Sequence, residues 1–282
     1  VAHVPEIFGL SIQAIEQSHR IARHVTGAGG GVGRELTLAL IDKGARVAAV
    51  DFREESLAKL REIAGPQVET FLVDITDKNS VASLPQVVIN RMGQVDALIN
   101  NAGIIQPFVK VNQLTLEDAS HVMAVNFTGA LLLIKAFLPH LLDRPEGHIV
   151  NISSMGAYAP VPGQSLYGAS KAALAQLTDG LRSELRGTKV RVTLVYPGAM
   201  STDIAMNSGV TMAPSSTAAA ASKIPTTDPA TAASMIVEAI EKERERIFIG
   251  TDAKMMNLLA RISPALASRL IYSKMRSLLG GL

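Results

Sequence analysis

The sequence predicts an α/β protein, one doubly wound domain built on a parallel sheet. Three observations carry that expectation. From Ile21 to about Asn151 short β-like runs alternate with helical ones, as in a parallel sheet covered on both faces. A glycine-rich turn, TGAGGGVG at Thr26 to Gly33, stands between the first such run and the first helical one, and Asp51 ends the second run. A chain of 282 residues, 48% hydrophobic, can bury the core that one large domain needs.

The expected strands are Ile21 to Thr26, Arg46 to Asp51, Val68 to Val73, Val95 to Asn100 and His148 to Ile152. Helices are expected near Gly33 to Lys43, Glu54 to Ile63, Lys78 to Met92 and Thr115 to Leu142. Arg23 and His24 interrupt the first strand where a central strand of such a sheet is ordinarily apolar.

Gly27, Gly31 and Gly33 follow the spacing G-x3-G-x-G. Glycines there let the chain turn tightly and let backbone N–H groups approach a pyrophosphate at a helix N-terminus. A flexible loop would use the same residues. Asp51 is placed to take the two hydroxyls of an adenosine ribose, although a strand-end carboxylate can also cap the helix at Glu54.

A second constellation lies in NISSMGAYAPVPGQSLYGASK, Asn151 to Lys171. A strand ends in two serines, a Pro- and Gly-containing loop follows, and a helix begins near Leu166. Tyr167 and Lys171 then share a helix face one turn apart. An ammonium about 4 Å from a phenol favours the phenolate by roughly 4 kcal/mol at an effective dielectric near 20, so the expectation is a Tyr167 tuned to exchange protons near neutral pH. Ser154 is positioned to hold the same substrate oxygen. Strand alternation puts Ser153 on the other face.

Composition excludes several classes. A net charge of +2 with 18% charged residues gives no field for nucleic acid. With no cysteine there is neither a disulfide framework nor a thiolate nucleophile, and the six histidines show no paired ligand spacing, so no metal site is expected. No continuous apolar run reaches the ~18 residues of a membrane span, and residues 1–20, with Glu6 and Glu16, read as an N-terminal extension rather than a signal peptide. A cytoplasmic location is the expectation.

These motifs together resemble the short-chain dehydrogenase/reductase family in its single-domain form. TGAGGGVG, with Thr26, Gly27, Gly29, Gly31, Val32 and Gly33, is similar to its cofactor motif, and VDIT resembles its adenine-contacting element through Asp74 and Ile75. NNAG places Asn101, Ala102 and Gly103 after the fourth strand, and Asn126 in MAVNFTG matches the family's helix asparagine. Ser154 and YGASK match its active site, and YPGAMST resembles the nicotinamide-side motif through Pro197, Gly198 and Thr202.

The resemblance, from about Ile21 to Gly250, implies a Rossmann-like seven-stranded parallel sheet with further strands near Val190 to Tyr196 and Arg246 to Ile249. It implies hydride transfer between a nicotinamide cofactor and a secondary alcohol or ketone. Tyr167 would move the proton, Ser154 would position the substrate oxygen, Lys171 would lower the phenol pKa and hold the nicotinamide ribose, and Asn126 would hold a water linking Lys171 to solvent. Asp51 favours NAD over NADP by charge repulsion with the extra phosphate, tempered by Arg53. A homodimer or homotetramer is implied, with Ala169, Ala172, Ala173 and Ala175 permitting close subunit approach. The rival function is a cofactor-binding regulatory or scaffold protein without turnover.

Residues 199–228, poor in bulky side chains, suit a mobile lid, with Met200, Met206 and Met212 as an adaptable lining. The helix Ala230 to Glu243 follows. Residues 251–282 form a basic amphipathic tail with Lys254, Arg261, Arg269, Lys274 and Arg276. Leu258, Leu259, Ile262, Leu266, Leu270 and Ile271 make its apolar stripe, interrupted at Pro264. Three readings stay open: packing on the body or a partner subunit, cover of the substrate pocket, or peripheral attachment to a membrane. Either of the last two would favour a bulky apolar substrate of steroid, retinoid or acyl type.

Overall fold

Each run expected as a strand joins one seven-stranded, all-parallel sheet in the order β3-β2-β1-β4-β5-β6-β7. The computed structural model describes residues 22–210 and 226–275. The expected N-terminal extension, the middle of the lid with Met212, and the tail from Arg276 onward lie outside the described residues. The strands are β1 Ala22–Thr26, β2 Arg46–Asp51, β3 Val68–Leu72, β4 Ala97–Asn100, β5 Gly147–Ile152, β6 Val190–Pro197 and β7 Arg246–Ile249. The chain order reverses between β1 and β4, which pair through Arg23 with Ala97 and Val25 with Ile99. In open sheets of this kind a crevice forms at that reversal, beyond the carboxyl ends of the strands.

Two apolar layers sandwich the sheet. On one face α1 (Gly31–Asp42) and, from the C-terminal half, α8 (Pro229–Glu241) lie side by side, burying Leu36, Leu40, Ile236 and Ile240 against Val25, Ile99 and Val195. Between these two in sequence run α2 (Glu54–Ala64), α3 (Lys78–Met92), α4 (Leu116–Met123), α5 (Ala130–Leu142), α6 (Ser165–Glu184) and the short α7 (Ile204–Asn207). On the other face α3, α5 and α6 bury Val88, Leu133, Phe137 and Leu181 against Val50, Leu98 and Ile149. Helices α9 (Thr251–Ile262) and α10 (Pro264–Met275) complete the described chain.

Helix α1 starts at Gly31, two residues before the expected start, because the glycine turn itself supplies its first turn. A Cβ on Gly33 would collide with the Gly27 carbonyl, so close packing of turn on helix requires glycine there. Helices α4 and α5 are joined by a π-helical segment, Ala124–Gly129, in the middle of the expected single helix. By length and composition the run Leu116–Leu142 could cross a bilayer. Here its Leu133, Ile134, Phe137 and Leu141 are sheet-facing core.

The polar first strand forms and is fully paired with β2 and β4. His24 is completely buried, its ring 4.5 Å from that of Phe137, and burial pulls its pKa down to about 3. Neither ring nitrogen has a hydrogen-bond partner among the described residues. Arg23 is buried on the opposite face, where burial lowers its pKa against the opposing attraction of Glu241 and Asp96. Strand pairing uses backbone groups, so it survives side chains that the core would otherwise exclude.

Two expectations need correction. Ala175, grouped with the subunit-facing alanines, is buried against Leu194 and Tyr196 within the chain, while Ala169 is exposed. The tail's apolar residues do not form one stripe. Ile271, Leu259 and Leu270 pack inward on Tyr158 and Ala159, whereas Leu258, Ile262 and Leu266 face solvent. Pro264 interrupts the tail helix as expected, and it opens α10, where its missing N–H costs nothing.

Candidate active site

The crevice at the β1/β4 reversal is a continuous cleft lined by Gly27, Gly31, Val32, Asp51, Asp74, Ile75, Asn101, Ala102, Gly103, Ser154, Tyr167, Lys171, Pro197, Gly198 and Thr202. Thr26, Gly29, Gly33 and Asn126 are not on its wall but directly behind it. Their hydrogen bonds show why. The Thr26 hydroxyl accepts from the backbone N–H groups of Asn101 and Ala102, both at 3.1 Å, and the Asn101 amide donates to the Thr26 carbonyl at 3.0 Å. These bonds lock the glycine turn to the turn after β4.

Asp51 is buried, and its carboxylate accepts from Gly29 N at 3.0 Å and from Arg53 N at 3.1 Å. It therefore shapes the glycine turn as well as ending β2. The Arg53 guanidinium lies 3.5 Å from the same carboxylate and donates to the Asn207 side-chain oxygen at 2.6 Å, so it is tied down rather than free. Asp74 is exposed and accepts from the N–H and hydroxyl of Thr76, both at 2.8 Å.

At the other end of the cleft the Ser154 hydroxyl accepts from Gly156 N at 3.0 Å, and Ser154 and the Tyr167 ring lie together beside Gly156. Tyr167 is half-buried in the wall. Burial raises its phenol pKa and the neighbouring Ser154 hydroxyl opposes the rise, with a net upward direction. This reverses the expected lowering by Lys171. Lys171 is buried, donates to the Ile152 carbonyl at 2.9 Å, and burial pulls its pKa down to about 8. Helical spacing put the two residues on one face, as expected, but the long lysine stem carries its charge to a carbonyl and to Gly103 instead.

Asn126 sits in the π-helical segment, completely buried. Its side chain accepts from Ile104 N at 2.8 Å and donates to Ile104 O at 2.9 Å and Ser170 Oγ at 3.0 Å. Both amide protons are thus committed to bracing the wall. Ser153 is likewise engaged, donating to the Lys171 carbonyl at 2.8 Å, which leaves Ser154 as the serine beside the phenol.

Several residues were not foreseen. Gln106 is fully buried and its side-chain oxygen accepts from Leu166 N at 2.8 Å and Tyr167 N at 3.1 Å, capping the helix that carries the phenol. Asp252, at the start of α9, accepts from Ala199 N at 2.7 Å, and Tyr158 donates to Ala253 O at 2.8 Å. His121 and Val125 also line the cleft, one helical turn apart, a spacing that the sequence does show. Of the lid methionines, Met200 lines the cleft and Met206 is exposed. None of the described tail residues lines it.

The family model described as short chain dehydrogenase matches residues 23–213. SadH of Mycobacterium tuberculosis, named as an oxidoreductase, is 35% identical over 255 residues, 88% of this chain and 92% of its own. FabG of Thermotoga maritima, a 3-oxoacyl-[acyl-carrier-protein] reductase, is 34% identical over 181 residues, 63% of this chain and 73% of its own. A Burkholderia cenocepacia short chain dehydrogenase solved with NADP superposes with a TM-score of 0.74 at 28% identity, covering 91% of this chain and 97% of that one. A Burkholderia phymatum structure with NAD, at 24% identity and a TM-score of 0.79 over 88% and 95% of the two chains, shows the same fold. The chain belongs to the short-chain dehydrogenase/reductase family of oxidoreductases.

Proposed function

We propose that this chain transfers a hydride between NAD(H) and a secondary alcohol or ketone that is bulky and apolar. The observation that carries the reading is the juxtaposition of Ser154 and Tyr167, both beside Gly156, at one end of a cleft whose other end is a bare glycine turn at a helix N-terminus. That turn fits a dinucleotide. Gly27, Gly30 and Gly31 face the cleft without side chains, and the helix N-terminus behind them favours a pyrophosphate.

The nicotinamide group, when bound, would supply or accept the hydride at the substrate carbon. The chain's own residues manage the proton. Tyr167, whose pKa is raised, keeps its proton at neutral pH and is set to give it to a carbonyl oxygen as that carbon is reduced. Ser154 holds the same oxygen and fixes its distance from the phenol. Lys171, with an ammonium titrating near 8, is placed to hold ribose hydroxyls and to return a proton toward Tyr167.

Asp51 supports NAD over NADP. Its buried carboxylate borders the cleft, and a 2′-phosphate there would meet like charge with little water to screen it. Arg53 is held by Asp51 and Asn207, so recruiting it to a phosphate would break both contacts. The apolar substrate class is supported by Ile104, Met200 and Ile204 on the cleft wall. Exposed Ala169 with half-buried Ala172 and Ala173 on α6 supports close approach of a second copy.

Fluorescence titration with NADH and NADPH tests the cofactor, followed by turnover on ketones of graded size. Tighter NADPH binding would overturn the NAD preference. Binding without turnover on any ketone would favour a non-catalytic cofactor protein.

A further inference from the structure

Helices α9 and α10 turn a mixed face to solvent that the hydride-transfer reading does not use. Met255, Leu258, Ile262, Leu266 and Tyr272 are 52–73% exposed. On α9, Met255, Leu258 and Ile262 fall at helical spacings of three and four, so they form one ridge, and Lys254 and Arg261 fall together along its flank. Arg269 and Lys274 continue the basic character on α10. All four bases are exposed, and none takes part in a salt bridge among the described residues. Asp252 is the sole acid on the two helices, and its carboxylate is occupied by the Ala199 N–H.

We propose that this face docks on an anionic lipid bilayer surface. An apolar ridge flanked by cations, with a tyrosine at its border, fits the boundary between acyl chains and negatively charged headgroups, where bases sit at the phosphate level and apolar side chains insert below. The charge pattern decides against a second copy of the chain on the same patch. A two-fold interface would bring Lys254, Arg261, Arg269 and Lys274 of one copy against the same set on the other, with no free carboxylate on either helix to meet them. The inner side of the pair is already used, packing Met256, Ala267 and Ile271 on Ala159, so docking needs no unfolding. The proposal stands independently of the proposed substrate and cofactor.

The test is co-sedimentation of the full chain with phosphatidylcholine vesicles and with vesicles containing phosphatidylserine, at low and raised salt. The expected result is binding to the anionic vesicles only, weakened by salt. A doubly reversed variant, Lys254→Glu with Arg261→Glu, should bind on the order of tenfold or more weakly, with unchanged NADH affinity and melting temperature. Leu258→Ser with Ile262→Ser should also lose vesicle binding while keeping its mass by light scattering. Failure to sediment, equal binding to both vesicle types, or an oligomer that falls apart in the serine variant would each overturn the proposal. The last result would assign the face to another copy of the chain.

Discussion

The Asp252 carboxylate, on the first turn of α9, accepts a hydrogen bond from the backbone N–H of Ala199 at 2.7 Å and fills the space that a side chain on Gly198 would need. The start of the tail is thereby fixed to the loop that leads to Thr202 in the cleft. A hydrogen bond to a charged acceptor contributes about 1.5–3 kcal/mol. Asp252→Ala is expected to lower kcat/KM about tenfold, mostly through weaker cofactor binding, and Asp252→Asn, which keeps an acceptor oxygen, should recover most of it. Identical kinetics for Asp252→Ala and the parent would show that the loop holds its position unaided.

Tyr167→Phe removes the phenolic proton and leaves the ring that packs beside Gly156. Turnover should fall by roughly 10²–10⁴-fold, the range of a lost general acid, while NADH affinity stays within about twofold. Steady-state rates and a fluorescence titration on the same preparation check both halves. Near-normal turnover would remove Tyr167 from the proton path.

Acid should destabilise this protein through its first strand. His24 is buried with a folded pKa of about 3 against an ordinary 6.5, so below 6.5 the unfolded chain binds a proton that the folded one refuses. Its contribution is fully present at pH 7 and falls as pH drops, by up to about 2–3 kcal/mol at pH 4.5. His148, pulled down to about 4 by burial with Arg23 nearby, acts in the same direction. Urea unfolding at pH 7 and pH 4.5 should show the loss in the parent and a clearly smaller one in His24→Val. Equal slopes in the two proteins would mean that His24 titrates normally.

Gln106→Ala should cost about 1–2 kcal/mol of stability, the size of a lost helix cap, because it uncovers Leu166 N and Tyr167 N at the start of α6. It should also lower kcat more than it raises the cofactor KM, since the disturbed turn carries the phenol and not the glycine cradle. A change confined to stability would make Gln106 purely structural.

The sheet was legible because its strands are short local runs that alternate with helices, and a hydrophobic period survives Arg23 and His24. The glycine-turn end of the cleft was legible because its parts sit in contiguous motifs. What stayed hidden were pairings between residues far apart in the chain: Gln106 with Tyr167, Arg53 with Asn207, Asp252 with Ala199. No spacing rule links such positions until the fold brings them together. The Tyr167–Lys171 expectation failed for another reason. Helical spacing fixes where two Cβ atoms lie, but a four-carbon stem left the Lys171 ammonium free to find the Ile152 carbonyl, and burial then outweighed any mutual attraction.

The π-helical segment at Ala124–Gly129 makes the wall of the cleft sensitive to length rather than to identity. Such a segment holds one residue more than the α-helix around it. Removing a single residue there would let an ordinary α-helix close up, with the flanking turns left in phase and the widened turn lost. The widened turn that carries Asn126 to Ile104 and Ser170 would narrow, and those anchoring bonds would be lost. A one-residue deletion between Ala124 and Gly129 is thus a harsher lesion than most substitutions nearby, and chains that differ in length within this window would be expected to present differently shaped clefts on an unchanged sheet.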